Sequence, residues 1–367
     1  MATVTPRRTS LTERLRSERG VSLIHIGIAI FVIMGFSAFV LDHGVMMVAR
    51  GQAQNVADAA AISAITTRVR DEANLAANLA AYPMSDNVLY KMVDSQGIFG
   101  GTPTDTGRSR EWSCPNLVTG WCVQVYVFRD GAPANGSTTL PVYFAPLFGL
   151  SSQKVQAYAA AVAKDANGTR CLKPFLIPDK WEENGGNSSF NPANGDVYRP
   201  WTVANPTGYS TADFNVTTVV LKPGTPANTI SPSDFFEINE FGQTGGKTYE
   251  TSIINCEIAK KIGDTVELFP GNTVGPTNQG IDGLLAANGG GPVDVIIGMF
   301  DPAVFEAQRR QSGRFILQIV NLVTVRISGR TGSHIDGLIV GGVGENMGPG
   351  PTPTGVSSLI KVVQLVR

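Results

Sequence analysis

The segment Gly242-Gln-Thr-Gly-Gly-Lys-Thr248 ends like a phosphate-binding loop. In such loops backbone N–H groups cradle phosphate oxygens, and the lysine reaches the terminal phosphates. The pattern also needs a glycine where Phe241 stands, and no clear parallel strand precedes it. A hairpin turn is expected there, and no nucleotide partner. Asp165-Ala-Asn167-Gly168 is half of a calcium loop without the later bidentate glutamate, so it too reads as a turn. The chain has 3 histidines, His25, His43 and His334, and neither a G-x-S-x-G elbow nor an H-E-x-x-H pair. His334, in TGSHIDG, is expected at a turn between strands. His25 opens an apolar run, which suits an intramembrane functional site or, the favoured reading, the cytoplasmic interface. Asn135, Asn167, Asn187 and Asn215 each begin an N-x-S/T triplet, a pattern that arises by chance in Asn/Thr-rich loops. No catalytic, cofactor-binding or metal-ligating residue is assigned, and the chain reads as a non-enzyme.

The 4 cysteines are Cys114, Cys122, Cys171 and Cys256. An even count outside the cytoplasm favours disulfides. Three pairings are possible. Cys114–Cys122 spans a short loop with Pro115 and Gly120, which suits a hairpin end, and Cys171–Cys256 then closes a long one. Reduced, unrelated thiols are the alternative. With no C-x-x-C and so few histidines, zinc is not expected.

The element that must position everything else is Val21–Leu41, which carries no formally charged side chain. At about 1.5 Å per residue such a helix crosses a bilayer core of roughly 30 Å. A buried core helix or a cleaved secretory signal would be the alternatives. The run is longer than a signal's apolar region and no small-x-small site closes it, so an uncleaved anchor is expected. Arg7, Arg8, Arg14, Arg16 and Arg19 precede it against Glu13 and Glu18, while Asp42 and His43 follow. That asymmetry places the N-terminus in the cytoplasm and the bulk of the chain outside. A net charge of −1 gives no general attraction to nucleic acid. Only 16% of residues are charged against 41 glycines and 22 prolines, the composition of turn-rich extracytoplasmic domains.

The fold class expected is α+β. Residues 1–20 form a basic cytoplasmic tail, mobile or interfacial, and 21–41 the transmembrane helix. Residues 42–169 form a pilin-like α+β unit, a helical spine with a small sheet. Residues 170–367 form a β-rich domain dominated at first by Gly, Pro and Asn. In the spine, Val45, Ala49, Ala53, Ala57, Ala61, Ile65 and Val69 recur every four residues. That ridge lets another surface approach closely, either within the chain or on a partner. Gly44 and Gly51 are weak points, and Pro83 should end the helix. A break is expected over Asp94–Arg110, strands at Trp121–Phe128 and Lys154–Lys164, and a packed loop or short helix at Leu140–Leu150. Further strands are expected at Thr217–Lys222, Val293–Phe300, Phe315–Ser328, Ile335–Val340 and Leu359–Val366. A helix is expected at Pro276–Asn288, capped by Thr277 or Asn278, and a Gly/Pro loop at Gly341–Gly355.

The run from Arg19 to Ala64 resembles the N-terminus of TadE/TadG-like pilus-assembly proteins. It has Arg19-Gly20 before the anchor, Asp42 after it, and Arg50, Gln52, Gln54, Asn55, Ala57 and Asp58 through Ala61. Weaker likeness covers LPVYFAPLFGLSSQKVQAYAAA and Pro270–Leu285. The resemblance implies a single-pass protein of a bacterial inner membrane, serving a Tad (Flp-type) pilus machine. Its partners would be the lipid bilayer and pilus-assembly proteins or pseudopilins. Processed relatives carry a glutamate five residues after the glycine of the cleavage site; counted from Gly20 that position is His25. A retained anchor is therefore expected. No D-x-S-x-S metal site occurs, so no adhesion-domain metal carries over. The alternatives are an adhesion or binding module, or a fibre subunit, sharing the anchor. A membrane-tethered hydrolase has no supporting constellation.

Overall fold

One helix, α1, runs from Leu11 to Arg70. The computed structural model describes residues 11–70, 87–88, 91–92, 94–99, 121–131, 139–186, 188–240, 246–271, 273–309, 315–348 and 358–366. The stretch from Leu11, expected as a tail, is thus already helical. Gly44 and Gly51 lie inside unbroken helix, and a Cβ at either would meet nothing within 4 Å. Each costs only about 1 kcal/mol against alanine, too little to break a helix of 60 residues. Pro83 lies outside the described residues.

The chain folds as two compact units, 1–60 with 80–97 and 125–159, and 61–79 with 98–124 and 160–367. Three strands run through both: β1 (Asp94–Phe99), β2 (Trp121–Arg129) and β3 (Val155–Asp165). β1 lies where a break was expected; sheet pairing overrides the weak strand preference of Asp-Ser-Gln-Gly. Residues 100–110 of that expected break lie outside the described residues.

In the first unit Ala49, Ala53 and Ala57 of the spine are buried. Gln54 Nε2 donates to Asp58 Oδ1 at 2.8 Å and to the Tyr158 carbonyl at 3.0 Å, fixing the helix beside β3. Val155, Ala157 and Ala159 are buried while Gln156 and Tyr158 face out, the alternation expected of a half-covered strand. Before β3, the expected Leu140–Leu150 segment contains a 3-10 turn at Ala145–Phe148.

The second unit is built on a closed six-stranded barrel. Its strands are β4 (Leu172–Pro178), β5 (Thr218–Pro223), β6 (Asp234–Glu237), β7 (Val293–Phe300), β8 (Asn321–Thr331) and β9 (His334–Val340). Around the barrel the order is β7-β8-β9-β5-β6-β4. β4 with β7 and β5 with β6 pair parallel, and the other neighbours antiparallel. Closure removes the exposed edges that open sheets must protect. The expected strand Phe315–Ser328 is divided: Ile316–Gln318 pairs with Thr265–Glu267, and β8 starts afresh at Asn321. The division falls where the chain changes partners: Ile319 N–H bonds to the Asp264 carbonyl, beside Thr265–Glu267, and Val320 N–H to the Met299 carbonyl of β7, next to the first β7–β8 pair Met299–Asn321. His334 opens β9 after a tight turn in which Gly332 has φ +64. The expected loop from Gly341 begins with a short strand, β10 (Gly342–Val343), parallel to β11 (Ile360–Val366). Beyond β10, residues 349–355 lie outside the described residues.

Three helices pack on this unit: α2 (Gly246–Ile254), α3 (Val274–Ala287) and α4 (Pro302–Arg309). α2 and α3 meet through glycine, since a Cβ at Gly280 would stand 2.7 Å from Ile253 Cδ1. Gly246-Lys-Thr248, expected in a hairpin turn, forms the first turn of α2; residues 242–245 lie outside the described residues. α3 starts ahead of Pro276, which falls in the first turn where its missing N–H costs nothing. Neither Thr277 nor Asn278 caps it. Thr273 holds the cap position, and its N–H donates to Glu237 Oε1 at 2.6 Å. A carboxylate from β6 therefore meets the helix N-terminus, where negative charge is favoured.

Candidate functional site

Among the described residues, one helix is long and apolar enough to cross a membrane by length and composition. Its side chains from Leu23 to Leu41 are largely exposed, Phe31 at 71% and Leu23 at 74%. Uncharged side chains displayed so fully are costly in water and favourable in lipid. Just past Leu41 the environment changes. Asp42 is only 6% exposed. Its Oδ1 accepts the Tyr143 N–H at 2.8 Å, and its Oδ2 accepts those of Phe144 and Ala145 at 3.1 and 2.7 Å. The Tyr143 N–H does most to hold the carboxyl below its usual range; burial opposes it, and the Ala145 and Phe144 N–H groups add to the lowering. This ties the end of the apolar run to the turn before β3. A cleft of about 370 Å³ opens beside it, with Ala38, Phe39 and Leu150 among its walls. His43 lines the same cleft and stacks on Phe39 with ring centroids 5.8 Å apart.

The ridge residues are placed as follows. Ala49, Ala53, Ala57, Ala61, Ile65 and Val69 are buried within the chain, and Val45 is half-buried. Gly20 and His25 lie in α1, with His25 exposed. Cys171 and Cys256 are joined in a disulfide with Cα atoms 4.4 Å apart. Cys122 is also disulfide-bonded, while Cys114 lies outside the described residues. Lys247 pairs with Glu250 at 2.7 Å. Asp165 ends β3 and pairs with Lys361, and Asn167 accepts the Met347 N–H and donates to the Gly348 carbonyl. No group of three or more His, Cys, Asp or Glu that could hold a metal ion occurs among the described residues.

One titratable cluster is marked by no motif in the sequence. Asp179, 1% exposed, follows β4. Its Oδ1 accepts the N–H groups of Lys180 and Tyr209 at 2.8 and 3.0 Å, and its Oδ2 the Tyr198 hydroxyl at 3.0 Å. Burial pushes its carboxyl up to about 6, against the pull of these hydrogen bonds. Burial likewise raises Tyr209, to about 12, with Asp179 adding to the shift. A near-neutral carboxyl suits acid–base work only where substrate reaches it. Here the chain closes over both oxygens: a Cβ at Gly208 would lie 2.5 Å from Oδ2 and 2.8 Å from Oδ1. The cluster is a clamp. Because the folded state raises this acid, its protonation favours folding. The contribution is full below the unfolded value near 4 and is lost as pH rises through about 6. Relative to Asp179→Asn, the parent should gain about 2 kcal/mol between pH 7.5 and 4.5. Urea midpoints of both proteins at the two pH values check this, and parallel pH profiles would refute it.

No curated protein and no solved structure matches the chain. Residues 25–81 match the Tad family model, described as Flp pilus-assembly TadE/G-like. The match spans the exposed apolar helix, Asp42 and the small-residue ridge, and it covers none of the barrel strands. Over residues 25–81 the chain is therefore similar to the TadE/G-like family.

Proposed function

We propose that the protein is a non-catalytic, membrane-anchored component of a bacterial Tad/Flp-type pilus assembly machine. It sits in the inner membrane with a cytoplasmic N-terminus, and its partners are the bilayer and other pilus-assembly proteins or pseudopilins. The observation that carries this reading is the coincidence of the TadE/G-like match with an exposed, uncharged helix that Asp42 fastens to the folded chain. His25 in place of an acidic residue keeps the helix joined to its arginines, because imidazole does not mimic a carboxylate. Drawing five arginines through a bilayer is costly, so the chain stays in the membrane as a platform. The ridge is occupied by the chain's own packing along most of its length, which supports an internal role over a seam for a partner. The test is deletion of the gene, with intact-mass analysis of the complementing protein. Surface pili should vanish while the pilin is still made, and no cut should be found after Gly20. A mature form beginning at Val21 in sheared filaments would make the chain a fibre subunit instead.

A further inference from the structure

The turn that Asp42 holds has a second property. Phe144 shares a cleft of about 470 Å³ with Phe31, Met34, Gly35 and Ala38 of α1. Gly35 stands seven residues before Asp42, about 10 Å along the helix towards the membrane centre. Tyr143 is 65% exposed and Leu150 58%, in a loop that carries no charged side chain from Leu140 to Gln153. An irregular loop approaches lipid only if its backbone polar groups are satisfied. Here the N–H groups of Tyr143, Phe144 and Ala145 go to Asp42, Pro146 has none, and Gly149 and Leu150 bond back to Pro146 and Ala145. Tyrosine beside apolar side chains is the composition of a membrane–water boundary. From this geometry we infer that the turn Tyr143–Leu150 is a second lipid contact, with Phe144 seated at the acyl-chain boundary and Asp42 the post that fixes its depth. Among the described residues the cleft is lined by no lysine or arginine to bind a headgroup phosphate, so the occupant is acyl chain.

This inference rests on the reading that Val21–Leu41 spans the bilayer, and the test separates the two. The full chain is placed in phosphatidylcholine vesicles with plain or dibrominated acyl chains, as Phe144→Trp and as Phe31→Trp, and the emission of the parent's 4 tryptophans is subtracted. Both added tryptophans should emit to the blue, lose that emission in brominated lipid and resist acrylamide. Adding Asp42→Ala to Phe144→Trp should restore acrylamide quenching at 144. If Phe31→Trp is quenched by bromine and Phe144→Trp is not, the second contact is wrong while the anchor stands. That holds whether acrylamide reaches 144, as in water, or neither quencher does, as in a protein-filled cleft. If bromine fails at both positions, the anchor itself is wrong. Leu150→Trp carries the same test should Phe144→Trp not fold.

Discussion

Replacing Cys171 and Cys256 together by serine should lower the stability of the barrel unit by about 4–5 kcal/mol. The bond closes a sequence separation of 85 residues, and closing a loop of that length removes about this much chain entropy from the unfolded state. The folded state should change little, because other contacts hold the same two segments. Leu172 N–H donates to the Ile258 carbonyl at 2.9 Å. Lys173 Nζ reaches the carbonyls of Ile254 and Asn255 at 3.3 and 2.9 Å, at the end of α2 where a cation is favoured. Burial draws that ammonium down to about 8, with Glu257 opposing. The measurement is the denaturant midpoint of the full chain in detergent, oxidised parent against the double variant at equal slope. A loss below about 1 kcal/mol would show that strain or residual unfolded structure offsets the entropy.

What could be read from the residues was whatever repeats locally. The uncharged run at Val21–Leu41 and the four-residue ridge placed the helix, and alternation placed β3 as far as Ala159. From Ala160 to Ala163 every residue is buried, so alternation ends and alanine leaves helix and strand equally open. β4 is buried along its whole length and carries Pro174 and Pro178, so no period marks it, and the barrel it closes was not expected. Long-range partners were equally hidden. Asp42 could be quoted as a family position, but its donors lie 101 to 103 residues away, and only the apolar, proline-broken stretch around them was visible. Glu237 caps α3 from another strand, which no local capping rule finds. Asp179 meets Tyr198 and Tyr209 across an irregular loop whose composition gives no sign of a buried acid.

A methyl group added at Gly341 should cost more than its size suggests. A Cβ there would stand 1.6 Å from the Val69 carbonyl oxygen and 2.7 Å from its carbon. Both atoms belong to backbone in the last turn of α1, so no rotamer change relieves the contact. The neighbouring position is as crowded, since a Cβ at Gly342 would lie 1.6 Å from Thr324 Oγ1, which blocks a shift of the strand. The end of α1 is also held in the barrel's own unit by other bonds. Arg68 Nη1 donates to the Cys122 carbonyl at 3.3 Å, and the Arg70 carbonyl accepts from Asn215 Nδ2 at 3.1 Å. Gly341→Ala must therefore strain this packing or pull the helix end off it. The expected loss is about 3 kcal/mol, the top of the usual overpacking range. Gly329→Ala is the control, because a Cβ there meets nothing within 4 Å. It should change stability by no more than about 0.5 kcal/mol. Denaturant midpoints of the two variants give the comparison, and trypsin cleavage after Arg68 and Arg70 should rise only in Gly341→Ala. Equal midpoints would mean that the spine is not locked to the β9–β10 junction.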